Sequence, residues 1–275
     1  MSRVWIITGT SRGLGREWLI GALERGDRVA AVARDTSALA DLVGTYGPAI
    51  LPLSLDVADR AAAFAAVRAA HDHFGRLDIV VNNAAYSQYG FVEELTETEL
   101  RAQLDTNFFG AVWVTQAALP YLRAQRSGHI IQVSSIGGLI AFPYLGAYHA
   151  SKWALEGLTQ SLAGEVAGFG VRVTLVEPGG FATGIVSGAP QADMLDAYSA
   201  EYGRFQADRT TRMARLGDPR AAREVMATIV DADDPPLRVL LGDQALGQVK
   251  DDYAQRLSNW ERWHPVAVEA QGPDR

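Results

Sequence analysis

A tyrosine four residues ahead of a lysine, in the stretch Gly-Ala-Tyr-His-Ala-Ser-Lys at 146–152, is a spacing that can move a proton. On a helix, residues i and i+4 share one face about a turn apart, so Tyr148 and Lys152 would stand together. An ammonium beside a phenol favours the phenolate. It would draw the tyrosine down from about 10 toward the range where it works as acid or base. Ser135 lies 13 residues before Tyr148, at the end of the apolar run HIIQVSS, and its hydroxyl can hold a carbonyl or alcohol oxygen. Ser134 is its rival. Asn107 sits among Phe108, Phe109 and Val112, where a polar group is costly to bury unpaired. Alone it reads as a hydrogen-bonded core residue; beside a Tyr–Lys pair it is a candidate for a proton relay. His149 points off the Tyr148 face. His71 and His73, two apart, do not face each other on a helix, so no metal site is expected.

A second group of residues has the makings of a phosphate cradle. TGTSRGLG at 8–15 follows an apolar run and opens a helical stretch. Gly9 can make the tight turn, Gly13 lets the backbone approach a pyrophosphate, and Gly15 permits close helix packing. Free N–H groups at the helix start would meet the anion. The spacing G-x3-G-x-G differs from the commoner G-x-G-x-x-G. A carboxylate at the end of the next strand would bind a ribose 2′-hydroxyl and mark NAD. Ala33 stands there instead, followed by Arg34, and Arg12 lies inside the glycine turn. Two guanidiniums suit a 2′-phosphate, so the cofactor expected is NADP, with NAD the less favoured alternative. Asp35 is the residue that could reverse this by reaching the ribose. Asp56, beside Val57, is either an acceptor for the adenine amino group or a helix cap.

The elements that must position these groups alternate along the chain. Continuous apolar runs at 4–8, 28–33, 50–55, 79–82, 129–133, 171–176 and 237–241 read as strands covered on both faces. Helical stretches at 16–25, 60–74, 97–123, 148–167 and 219–231 separate them. This alternation predicts an α/β fold: one doubly wound, seven-stranded parallel sheet in a single domain over residues 1–275. The long insert 184–215, placed after a strand end and carrying Tyr198, Tyr202 and Phe205, is expected to act as a lid or binding loop. The tail 247–264 reads as an amphipathic helix, with Trp260 and Trp263 expected to pack on the body or on a neighbouring subunit. A net charge of −7 argues against a nucleic-acid partner. The absence of cysteine excludes disulfides and thiolate metal sites and fits a reducing interior. The start of the chain, MSRVWIITGT, is too short in apolar length for a signal peptide, and no apolar run approaches a membrane span. A cytoplasmic protein is expected.

The motifs taken together resemble those of the short-chain dehydrogenase/reductase family over about residues 3–245. The carriers are TGTSRGLG (8–15), Asp56, NNAA (82–85), Asn107, Ser135 with Tyr148-x-x-x-Lys152, and EPGGFAT (177–183). The resemblance implies a Rossmann fold and NAD(P)-dependent interconversion of alcohols with ketones or aldehydes. It implies that Tyr148 is the general acid/base, that Lys152 also binds the nicotinamide ribose, that Ser135 orients the substrate oxygen, and that Asn107 holds a relay water. It places Gly9, Ser11, Arg12, Gly13, Leu14, Gly15, Arg34, Asp56, Val57, Asn83 and Ala84 at the cofactor. Pro178, Gly179, Phe181 and Thr183 join them on the nicotinamide side. The family usually has glycine where Ala85 stands; a positive φ there would cost on the order of 1 kcal/mol. Tyr86, Tyr144, Leu145, Phe181 and Ile185, with Phe142 and Tyr89, are candidates to line an apolar pocket for a hydrophobic or aromatic carbonyl. The pattern is similar to the branch near 17β-hydroxysteroid dehydrogenases. The function expected is NADPH-dependent carbonyl reduction by a homodimer or homotetramer paired through the long helices. An NAD-dependent alcohol dehydrogenase and a non-catalytic, dinucleotide-binding redox sensor stay open.

Overall fold

A computed structural model describes residues 2–183, 189–213 and 216–272, with the backbone alone for 208–213. Among these residues seven strands form one sheet: β1 (Val4–Thr8), β2 (Arg28–Ala33), β3 (Ile50–Ser54), β4 (Ile79–Asn82), β5 (Gly128–Val133), β6 (Val171–Pro178) and β7 (Arg238–Leu241). The order is β3-β2-β1-β4-β5-β6-β7, and every pair is parallel. The chain winds outward from β1 to β3, then returns to lay β4 on the other side of β1. That reversal leaves a crevice at the carboxyl ends of β1 and β4, the place where doubly wound sheets hold ligands.

Both faces of the sheet are covered, which is why the strands read as unbroken apolar runs. Trp5 and Ile7 of β1 face one core with Leu14, Trp18 and Leu19 of α1 (Gly13–Glu24) and Met226 and Ile229 of α8 (Ala222–Asp231). Val4 and Ile6 face the other, with α3 (Arg60–Phe74), α5 (Gly110–Gln125) and α6 (Gly146–Val166). A short helix α2 (Ala40–Tyr46) lies between β2 and β3, where the sequence reading placed none. It buries only Leu42, too little for a visible periodicity.

The helix expected over 97–123 is one helical run with a change of pitch inside it. α4 (Glu97–Leu104) begins with a capping box, Thr96 against Glu99. A π-turn over Asp105–Phe109 then hands on to α5. Such turns are frequent at functional sites, and Asn107 lies in the middle of this one.

The described part of the insert is bound to the loop after β4. Tyr89 N–H donates to Pro190 O at 3.0 Å, and Ala192 N–H donates to Tyr89 O at 2.8 Å. Leu195 N–H donates to Glu94 at 3.0 Å. α7 (Ser199–Met213) brings Phe205 against Tyr144, ring centroids 4.7 Å apart. The tail forms α9 (Ala245–Glu269), longer than predicted. Arg256 of α9 lies over the Trp153 ring of α6, 4.8 Å from its centroid. Trp260 and Trp263 are 62% and 56% exposed, so of the two places expected for them, the body or a neighbouring subunit, the body is not the one.

Candidate active site

The crevice at the sheet's carboxyl edge is a cavity of about 1550 Å³. Its floor at one end is the turn between β1 and α1. Gly9 (φ +72°) and Gly13 (φ +62°) take backbone conformations that favour glycine. α1 starts at an extended Arg12 with no side-chain cap and no acid in its first turn. Its leading N–H groups are therefore available to an anion, unlike those of α3, which Asp59 caps. A Cβ on Gly13 would come within 3.0 Å of Thr183 Cβ, which places Thr183 directly across the turn. Asn83 braces the cradle: its Nδ2 donates to Thr8 O at 2.8 Å and Gly9 O at 3.1 Å, and its N–H donates to Thr8 Oγ1. The built features fit a pyrophosphate, because close backbone, open N–H groups and a helix N-terminus meet at one place.

Arg12 and Arg34 are both exposed at the mouth of this end. Asp35, the residue that could reach a ribose, also lines the cavity, and it caps the next turn, where Oδ1 accepts from Ser37 N–H at 2.9 Å. Hydrogen bonds from the Ser37 hydroxyl and then from its N–H hold the Asp35 carboxyl below the usual range. Asp56 accepts from Ala58 N–H within its own turn. Ala85 does not take a positive φ, so the strain anticipated there is absent.

At the other end stand Ser135, Tyr148 and Lys152, brought to one wall by the end of β5 and the first turns of α6. Ser135 Oγ accepts from Gly137 N–H at 3.0 Å and donates to Pro178 O at 3.3 Å. Lys152 is 2% exposed, and its Nζ donates to Val133 O at 2.8 Å. The ammonium lies 5.8 Å from the centroid of the Tyr148 ring. The electrostatics depart from the sequence expectation. Burial pushes the Tyr148 hydroxyl up to about 12, against a lowering hydrogen bond from Ser135. Burial also brings Lys152 down to about 8, opposed by the charge of Glu156. Desolvation acts on both charged forms in the same sense, disfavouring phenolate and ammonium together. The lowering that Tyr148 does receive comes from the Ser135 hydrogen bond rather than from the expected lysine charge, and burial exceeds it.

Of the residues singled out from sequence, Ser11, Leu14, Val57, Ala84, Pro178, Gly179 and Phe181 also line the cavity, as do Tyr86 and Leu145. Asn107 does not. It is 1% exposed; its Nδ2 donates to Tyr86 O and Ser151 Oγ, and its Oδ1 accepts from Tyr86 N–H. These bonds tie the π-turn to the loop that carries Tyr86 and to Ser151 of α6. Gly15 lies beneath the turn, where a Cβ would fall 2.5 Å from Gly9 O. Tyr144 is buried behind the wall, among Tyr89, Phe91, Tyr202 and Phe205, so it supports the pocket rather than lining it. Ile185 lies outside the described residues. Sequence reasoning missed the polar wall of Gln88, Thr98 and Glu99, and Gln244 and Gln248 near α9. Isolated polar residues on helix and loop surfaces carry no pattern that could have shown this.

The chain matches the family model for short chain dehydrogenases over residues 3–193. It is a short-chain dehydrogenase/reductase. "Oxidoreductase BOA17" of Botryotinia fuckeliana is 37% identical over 271 residues, 98% of this chain and 99% of that one. A "3-ketodihydrosphingosine reductase" of Bacteroides thetaiotaomicron is 34% identical over 248 residues, 87% and 88% of the two chains. The crystal structure of a short-chain dehydrogenase from Streptomyces avermitilis superposes with a TM-score of 0.91 at 35% identity, covering 98% of both chains. As a short-chain dehydrogenase/reductase the protein is an NAD(P)-dependent oxidoreductase of alcohol and carbonyl groups. Solved neighbours of the fold hold NADP in one case and NAD in another.

Proposed function

We propose that this short-chain dehydrogenase/reductase is an NADPH-dependent carbonyl reductase. One observation carries the reading: Ser135, Tyr148 and Lys152 line the same cavity as the open glycine cradle. A volume of about 1550 Å³ exceeds the usual span of a single-ligand pocket, roughly 300–1,000 Å³, and so leaves room for cofactor and substrate together. The nicotinamide cofactor, when bound, supplies the hydride. Ser135 Oγ orients the carbonyl oxygen, and Tyr148 donates the proton to it as the alcohol forms. A hydroxyl held near 12 is protonated throughout the physiological range. The proton that reduction needs is therefore on the hydroxyl before the reaction begins. Lys152, close to titrating at neutrality, can return the proton or hold the ribose.

Arg12 and Arg34, two cations at the mouth against the one carboxylate of Asp35, which is engaged in capping its own turn, support NADP over NAD. Asn107 serves the reaction by fixing the Tyr86 loop and, in this reading, the relay behind Lys152. The aromatic residues Tyr89, Phe142 and Phe205 support an apolar or aromatic carbonyl substrate, with the insert as its lid. We assign the protein to the cytoplasm, in keeping with a chain free of cysteine. We also read it as a homo-oligomer, because Phe109 and Trp153 of the long helical faces are 37% and 40% exposed. The experiment is a screen of apolar ketones and aldehydes followed by NADPH oxidation, with Tyr148→Phe as the control. Loss of a general acid lowers kcat by about 100- to 10,000-fold. Near-wild-type turnover by Tyr148→Phe on a competent ketone would refute the assignment.

A further inference from the structure

His149 is spare in the scheme above, yet its ring is fully engaged. It is 5% exposed. Its Nδ1 meets Gly137 O at 2.8 Å, and Phe142 N–H donates to its Nε2 at 2.9 Å. A carbonyl can only accept and a peptide N–H can only donate, so the two partners fix the neutral tautomer with the proton on Nδ1. Both partners belong to the segment from Ser135 to Phe142, whereas His149 belongs to α6 and directly follows Tyr148. One imidazole thus ties the Ser135 segment to the Tyr148 helix at two points. The tie reaches Ser135 through Gly137, whose N–H donates to Ser135 Oγ while its carbonyl accepts from His149. The segment is also pressed against both rings. A Cβ on Gly137 would lie 2.9 Å from His149 Nδ1 and 3.2 Å from Tyr148 Cε1.

We propose that His149 is a positioning residue: a neutral, two-sided staple that fixes the Ser135 hydroxyl relative to the Tyr148 hydroxyl. The inference rests on the carbonyl-reductase reading for its effect on turnover, but its geometry stands without it. Proton donation and oxygen orientation must act on one substrate atom, so the separation of the two hydroxyls matters to the rate. A displacement of about 1 Å at a reacting centre costs on the order of 100-fold.

Two measurements test this. Nitrogen NMR of the ligand-free protein at neutral pH should show His149 protonated on Nδ1 and bare on Nε2. The other tautomer, or a cation, overturns the staple whatever the protein catalyses. In kinetics, His149→Phe keeps a ring but loses both bonds, while His149→Gln offers one donor and one acceptor. The phenylalanine variant should lose about 100-fold in kcat with NADPH affinity unchanged, and the glutamine variant should recover about tenfold of that. His149→Phe with wild-type kcat overturns the inference. So does a parallel loss of kcat and NADPH binding, or equal kcat in the two variants. If Tyr148→Phe is inactive while His149→Phe is not, the staple alone fails and the reductase reading survives.

Discussion

Replacing Gly15 by alanine sets two opposed effects against each other, and the structure decides between them. Gly15 is in the first turn of α1, where alanine gains about 0.5–1 kcal/mol over glycine from helix propensity alone. The added Cβ, however, would fall 2.5 Å from Gly9 O and closer still to Asn83 Nδ2, whereas real Cβ atoms essentially never approach within 3.0 Å. Asn83 cannot retreat freely, because Nδ2 holds Thr8 O and Gly9 O. Losing those two bonds costs about 1 kcal/mol each, and overpacking adds about 1–3 kcal/mol. Net destabilisation should therefore be about 2–4 kcal/mol after the propensity gain is subtracted. Denaturant unfolding of the ligand-free chain measures it as a shift of midpoint at constant slope. The Asn83→Ala background isolates the cause, since it removes the amide and leaves only the Gly9 carbonyl. The double variant should cost less than the sum of the singles by about 2 kcal/mol, because the two Nδ2 bonds are lost only once. An alanine variant as stable as wild type, or more so, would refute the reasoning, because propensity would then have won and Gly9 and Asn83 would not press on Gly15 as described.

Arg34→Ala should weaken NADPH binding by about tenfold, through loss of a charge-assisted bond at an exposed site, and leave NADH binding unchanged; equal loss for both cofactors in titration would defeat NADP selectivity. Glu177, 1% exposed beside Glu156 and Arg238, is pushed up to about 8, first by burial and then by the charge of Glu156. Its folded pKa exceeds the ordinary 4.5, so wild-type stability relative to Glu177→Gln should fall as pH rises from about 4.5 through about 8. Parallel stability–pH curves for the two proteins would count against it. Tyr144→Ala should destabilise by about 3 kcal/mol, as emptying an aromatic site does, because Tyr144 fills a buried cluster with Tyr89 and Phe205. A loss under about 1 kcal/mol in thermal unfolding would show that the cluster is not packed.

The sequence by itself determined the sheet. β1, β2 and β4 run as read, since a strand covered on both faces is apolar along nearly all of its length, and that pattern needs no partner to be seen. The glycine turn and the Tyr148–Lys152 spacing were legible for the same reason: each is set by local geometry. What needed the fold was everything governed by what lies opposite. Tyr144 adopts φ +71°, a conformation rare for a bulky residue, and it does so inside an aromatic cluster drawn from three distant segments. Asn107 finds its partners in Tyr86 and Ser151, 21 and 44 residues away, and the pitch of the helix changes to suit. His149, which sequence turned away from the site, ties Gly137 and Phe142 to α6. The Tyr148 hydroxyl is the sharpest case. Spacing brings a cation near and predicts a lowered pKa, but the depth of burial is a property of the whole fold, and desolvation grows with every neighbour that excludes water.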